Sequence, residues 1–253
     1  MAPSRVSVAS KSGLVRVQNE DSAYVGRWLC AVADGMGGHA AGDVASATVI
    51  DAIRRFDAAT DAEQLTMALS QAVHAANSQL AARAEAAPAL AGMGSTVTAM
   101  LWSGSHVAVA HIGDSRAYLL RNGVLRQITE DHILSNLVAV PMPARIGGYL
   151  VRYLDARPGW SPDLTPRIAT PGDRYLICSD GLSGVVAPDA IRAVLADRGD
   201  TNEAADSLIA LAYAAGAPDN VTVIVVDVPG GRWEEREGNP LVVGAAAELA
   251  SRA

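Results

Sequence analysis

The stretch AVADGMGGHAAGDVAS, residues 31–46, decides how this chain is read. An apolar run ends on Asp34-Gly35. A glycine-rich turn follows, and helical spacing of apolar residues then begins near Gly42. A carboxylate at the end of a strand is held rigidly, and the glycine after it lets backbone carbonyls and water come close. Two other readings of the stretch stand beside this one. Asp-Gly is a common turn former. Gly35, Gly37 and Ala40 also imitate the G-x-G-x-x-A fingerprint of dinucleotide-binding folds, but Asp34 would set a negative charge beside a pyrophosphate, and no second βαβ unit follows.

Three further aspartates share this context: Asp114 in AHIGDSRA, Asp180 in LICSDGLS and Asp219 in APDNVTVI. Each borders an apolar strand and neighbours Gly, Ser or Asn. Singly, each reads as a turn or cap residue. Together, and with the acidic pair Glu20-Asp21 in RVQNEDS, they form the oxygen-rich donor set that hard cations such as Mg or Mn require. His and Cys ligands do not cluster, which disfavours zinc. Two such ions about 3.5–4 Å apart, bridged by a carboxylate, activate water and clamp a transferring phosphoryl group. Arg16, five residues before Asp21, is the nearest candidate for holding the phosphate, because its planar fork donates two parallel hydrogen bonds. Arg116 is assigned instead to an internal ion pair. Ser95 and Ser179 lack the nearby histidine and orienting carboxylate that a serine nucleophile needs.

Working outward, the chain of 253 residues is half apolar but only 4% aromatic, so its core must be layered from Ala, Val, Leu and Ile. A net charge of −7 argues against a nucleic-acid partner. Cys30 and Cys178 lie in apolar runs and read as buried thiols. The N-terminus has no signal-peptide core and no apolar run reaches 18 residues, so a cytoplasmic protein without a membrane partner is expected. Strands are expected at RVSVAS, DSAYVG and WLCAVADG, followed by helices over 42–56 and 61–87. STVTAMLW, HVAVAHIG and RAYLLRNGVLRQI follow as strands, with a hairpin turn at Asn122-Gly123. DRYLICSDG and NVTVIVVDV are further strands, with helices near 189–197 and 201–215 between them. This order predicts an antiparallel α+β architecture. The Pro- and Gly-interrupted segment 132–170 reads as a flap-like excursion, and residues 229–253 as a tail or a docking helix beyond the last plausible strand.

RVQNEDS, AVADGMGGHAAGDVAS, GMGSTVTAML, AHIGDSRAYLLRNGVLRQITEDH, LICSDGLSGVV and PDNVTVIVV stand in the order and rough spacing of the metal-dependent type 2C protein phosphatases, which the chain resembles over about residues 5–228. The resemblance, closest to the bacterial serine/threonine branch, implies a four-layer αββα sandwich with two central antiparallel sheets flanked by helix pairs. It implies a catalytic domain over 1–228 and hydrolysis of phosphoserine and phosphothreonine without a phosphoenzyme. Position by position, it implies that Asp34 bridges two Mg or Mn ions and that the Gly35 carbonyl completes the second site. Asp180 and Asp219 would ligate the first ion, Glu20 and Asp21 would belong to the water-mediated shell, and Asp114 with Asp180 would offer a third, weaker site. Arg16 matches the phosphate-binding arginine. The implied partner is a phosphorylated protein, a serine/threonine kinase or its target, met by a monomer.

Two departures stand out. The position two after Asp34, a histidine in some members, is Met36, and His39 in the following turn does not simply inherit its role. The flap ILSNLVAVPMPARIGGYLVRYLDARPG is shorter and more apolar than is usual. Two alternatives therefore stay open: a phosphoprotein-binding module without catalysis, and a phosphatase for small phosphomonoesters.

Overall fold

The computed structural model describes residues 5–37, 41–138, 143–159, 161–197, 199–230 and 239–252, the side chains of 144 and 145 excepted. Strands β1 (Arg5–Lys11), β2 (Asp21–Val25) and β3 (Leu29–Met36) lead into helices α1 (Gly42–Ile53) and α2 (Leu65–Ala86). A two-residue strand β4 (Gly94–Ser95) precedes β5 (Val97–Ser103), β6 (His106–Ile112), β7 (Arg116–Arg121) and β8 (Val124–Gln127). Short helices α3 (Leu134–Leu137) and α4 (Ala144–Gly147) occupy the segment before β9 (Asp163–Ile168) and β10 (Arg174–Cys178). Helices α5 (Asp180–Ser183), α6 (Pro188–Ala196) and α7 (Thr201–Ala214) precede β11 (Val221–Asp227), and β12 (Leu241–Gly244) and α8 (Ala245–Arg252) follow.

The strands form two sheets, β1-β11-β10-β7-β8 and β12-β2-β3-β5-β6-β9, with β4 paired to β3. Every named pairing is antiparallel, which removes the dinucleotide-fold reading of residues 35–40. The strict period of two along each strand sends alternate residues to different cores. Val32, Met100 and Val109 meet Ile177, Ile224 and Val226 between the sheets. Ala31, Ala33, Ala99 and Ala110 face Val49, Leu69 and Ala76 of α1 and α2. Val223 and Val225 face Leu208 and Ala212 of α7 on the other side. The result is four layers, αββα. Alanines on the β3-β5-β6 surface let α1 and α2 lie close to that sheet, and aliphatic side chains fill the other layers. Trp102 and Tyr175 meet edge to face between the sheets, with ring centroids 5.3 Å apart. The hairpin turn at Asn122-Gly123 has φ of 52° and 77°, as a type I′ turn requires. Cys30 and Cys178 are buried and are not joined in a disulfide. Among the described residues no helix is long and apolar enough to cross a membrane.

Two segments differ from the sequence expectation. The excursion placed at 132–170 contains β9, which pairs along β6 from His106↔Ile168 to His111↔Asp163. Pro166 hides this strand in the sequence and is tolerated because β9 is a sheet edge, where one side needs no N–H donor. The strands also do not end at residue 228. Leu241–Gly244 pairs with β2, and α8 packs on α1 and β2. Four residues are too short a run for alternation to show. The charged stretch RWEEREG before them lies outside the described residues, as does His39.

Candidate metal centre

The centre is assembled from strand ends. Antiparallel register sets Asp21 of β2 directly across from Asp34 of β3. Asp34 is held through its backbone: its N–H donates to Thr96 Oγ1 (3.1 Å), and its carbonyl accepts from the Thr96 N–H (2.9 Å) and Ser95 Oγ (2.9 Å). The next residue must be glycine, because a Cβ at Gly35 would lie 1.9 Å from the Gly42 carbonyl oxygen. This close approach brings the start of α1 against the β1–β2 loop, and the Gly35 N–H donates to the Glu20 carbonyl (3.2 Å).

The second sheet contributes through β10 and β11. Asp180 opens α5 immediately after β10. Ser179 Oγ donates to Asp21 Oδ2 (2.7 Å) and accepts from the Thr222 N–H (3.0 Å), tying the two sheets together beneath the acidic cluster. Gly181 is again a place only glycine fits, since a Cβ would lie 1.8 Å from the Asn220 carbonyl oxygen. The Asn220 side chain accepts from the Glu20 N–H (2.8 Å) and donates to the Gln18 carbonyl (3.0 Å), fastening the β1–β2 loop beside Asp219. Asp219 pairs with Arg16 at 2.5 Å, with both groups partly open to solvent. Asp114 follows Gly113 at the end of β6, and its neighbour Ser115 bonds Thr96 (Oγ to Oγ1, 2.7 Å).

Charge is concentrated here and is offset only in part, by Arg16 on Asp219. Burial holds the Asp34 carboxyl well above the usual range, with Asp21, Asp180, Asp114 and Asp219 adding repulsion. Burial pushes Asp21 up to about 7 against hydrogen bonds from Ser179 and Thr222 that favour its charged form. Asp114 is likewise pushed up to about 7, by burial and then by Asp180 and Asp131. Asp180 is raised by burial and by Asp219, and Glu20 chiefly by burial. Such a set ionises together only if cations join it. Asp180 Oδ1 is buried with no hydrogen-bond partner, an orphaned acceptor that an ion would satisfy. The donors are all oxygen, which fits Mg or Mn. Among the described residues no three His, Cys, Asp or Glu side chains converge closely enough to hold an ion by themselves. Carbonyl and water ligands must therefore complete each shell, as hard cations that keep part of their hydration allow.

All eight sequence-selected positions, Arg16, Glu20, Asp21, Asp34, Gly35, Asp114, Asp180 and Asp219, lie at this end of the sandwich or on the loops fastened to it. Arg116 forms a bidentate pair with Asp131, Nε to Oδ1 at 3.0 Å and Nη2 to Oδ2 at 2.6 Å, and is internal. Ser95 and Ser179 are fully buried and engaged in hydrogen bonds. The sequence did not single out Thr96 and Asn220, whose polar side chains lock the Asp34 and Glu20 backbones. Nor did it single out His132, in the motif TEDH. The His132 N–H donates to the Gly113 carbonyl (2.7 Å), and its Nδ1 accepts from the Gly113 N–H (3.0 Å). Nε2 lies 3.1 Å from Asp163 Oδ2 and 2.9 Å from Arg152 Nη1, and Arg152 Nη2 donates to the same carboxylate at 2.9 Å. Burial lowers the His132 pKa, and the ring's bonds to Gly113 fix the flap base beside Asp114.

Comparison with known proteins gives one consistent picture. Residues 5–138 match the family model of protein phosphatase 2C. The chain is 44% identical over 250 residues to the serine/threonine protein phosphatase PstP of Mycobacterium tuberculosis, covering 96% of this chain and 48% of that protein. It thus spans about half the length of that relative. It is 35% identical over 234 residues to the serine/threonine phosphatase stp of Listeria monocytogenes, covering 85% of this chain and 92% of that one. A crystal structure of the PstP catalytic domain in complex with two manganese ions superposes with a TM-score of 0.81 at 45% identity, over 89% of this chain and 98% of that one.

Proposed function

The chain belongs to the protein phosphatase 2C family, and on that premise we propose that it hydrolyses phosphoserine and phosphothreonine in proteins, using two Mg or Mn ions at the carboxylate cluster. The observation that carries this is the orphaned Asp180 Oδ1 among carboxyls that burial and mutual repulsion push upward. In this proposal Asp34 bridges the ions, the Gly35 carbonyl completes the second site, and Asp180 and Asp219 ligate the first. Glu20 and Asp21 hold the water-mediated shell, and Asp114 with Asp180 offers a weaker third position. The manganese pair in the PstP catalytic domain supports the two-ion count.

Bound divalent ions supply Lewis acidity toward phosphoryl oxygens and lower the pKa of water. The protein supplies position and charge. Arg16, half-exposed beside Asp219, presents a fork that two phosphoryl oxygens fit, and it exchanges one anion for another as the substrate arrives. The bonds from Thr96, Ser95 and Ser179 hold Asp34 and Asp21 without help from the substrate, which keeps the reacting geometry preorganised. Met36 has no proton to give, so the residue at that position does not protonate the leaving alkoxide. Ser95 and Ser179 are buried and bonded, so neither is placed to take the phosphoryl group, consistent with direct attack by water. The proposed substrates are phosphorylated kinases or kinase targets, met by a cytoplasmic monomer.

A phosphothreonine peptide incubated with the protein and Mn tests this. Phosphate release should depend on Mn and fall at least a hundredfold in Asp34→Asn. A folded, Mn-loaded protein that releases no phosphate would defeat the proposal.

A further inference from the structure

Among the described residues, most exposed large apolar side chains fall in two short segments, the exceptions being Met67, Val124, Ile168 and Leu241. One segment is the β1–β2 loop, where Leu14, Val15 and Val17 are exposed, Val17 at 99%. The other is the flap, where Leu137, Val138, Ile146 and Tyr149 are exposed, Leu137 at 67% and Tyr149 at 64%.

Both segments are fastened to the metal centre, on different sides of it. In the β1–β2 loop, the Leu14 N–H donates to the Ala217 carbonyl (2.8 Å), and Tyr213 Oη donates to the Ser12 carbonyl. Arg16 binds Asp219. The flap is tied at its start to Gly113, next to Asp114, through His132. At its end it is tied to Ser95, which pairs with Gly35: the Ser95 and Leu154 backbones exchange two hydrogen bonds of 3.0 and 2.8 Å. The exposed valines therefore rim the Asp219 side and the exposed flap residues rim the Asp114 side. They are not members of the three buried core clusters, and apolar groups concentrated around a functional cleft mark a surface that meets another molecule. The occupant enters with a phosphate between the two rims, so its own neighbouring residues lie against them.

Resting on the phosphatase reading above, we propose that this site selects phosphorylated segments with apolar residues on both sides of the phosphorylated residue, gripped by Val15 and Val17 on one side and by Leu137 and Tyr149 on the other. Arg16 anchors the phosphate between them. Charged flanks gain nothing from these rims. Apolar contacts made equally in the bound and reacting states act on KM and kcat/KM rather than on kcat.

The test compares Mn-loaded protein on para-nitrophenyl phosphate and on two phosphothreonine peptides of equal length, one with Leu and Val flanks and one with Gln and Ser flanks. The apolar-flanked peptide should have about tenfold higher kcat/KM, through KM, as two partly buried aliphatic side chains warrant. Val17→Ser and Tyr149→Ser should each cut that preference about threefold, and the double variant should erase it. Equal kcat/KM for the two peptides, with para-nitrophenyl phosphate turned over, would overturn the inference and leave the phosphatase reading standing. Turnover of none of the three would overturn the phosphatase reading and the inference with it.

Discussion

Replacing Asp114 with asparagine removes one charge from the cluster while keeping its shape, and the consequence can be worked out with its sign. Burial, with repulsion from Asp180 and Asp131, raises the Asp114 carboxyl from 3.8 to about 7. Between those values the folded protein holds a proton that the unfolded chain releases. In the metal-free protein this contribution therefore falls as pH rises, fully present below 3.8 and lost through 7. At about 1.36 kcal/mol per pH unit, the whole interval is worth about 4 kcal/mol, of which about 3 falls between pH 4.5 and 8. In a domain of this size that corresponds to roughly 10 °C in Tm. The assay is urea or thermal unfolding of wild type and Asp114→Asn in excess chelator at both pH values. The stability difference, variant minus wild type, should grow by about 3 kcal/mol from pH 4.5 to 8. Saturating Mn should then shrink it, because the ions stabilise the charged wild type. A difference that stays flat with pH, or that shrinks toward pH 8 without metal, would refute the charge account.

Gly35→Ala forces a Cβ to within 1.9 Å of the Gly42 carbonyl oxygen. It should cost roughly 3 kcal/mol in urea unfolding and abolish Mn-dependent turnover, since the Asp34 turn must move. Trp102→Ala, in a side chain with no solvent exposure, should cost about 3–5 kcal/mol by the same measurement while leaving the metal ligands intact. Arg16→Lys keeps the charge but not the fork. On para-nitrophenyl phosphate it should lower kcat/KM about tenfold, mainly by raising KM, and unchanged kinetics would remove Arg16 from phosphate binding.

What was legible in the sequence follows from what each signal requires. Asp34 and Asp180 were readable because an apolar run ending on Asp-Gly marks a strand end, and Asp219 because Asp-Asn leads into one. The antiparallel class was readable because the strands come without regular helix alternation. The partition into layers was not: β3, β5, β10 and β11 are buried on both faces, so their alternation divides two cores rather than separating core from solvent. Pro166 masked β9, and four residues masked β12. Long-range polar partners leave no local trace. Asp57, distant in sequence, accepts from Tyr24 Oη and from the N–H groups of Arg27, Trp28 and Leu29, and so closes the turn that aligns Asp21 with Asp34. Asp131 looks in sequence much like Asp114, yet one neutralises Arg116 and the other faces the acidic cluster. Only tertiary placement separates such residues.

Calorimetric titration of Mn into chelator-stripped protein at pH 8, for wild type and Asp34→Asn, goes most directly to the central claim. Two ions per wild-type chain, with at least one lost in the variant because the bridging charge is gone, is the predicted result. No binding at millimolar Mn, or the same two ions in Asp34→Asn, would contradict it.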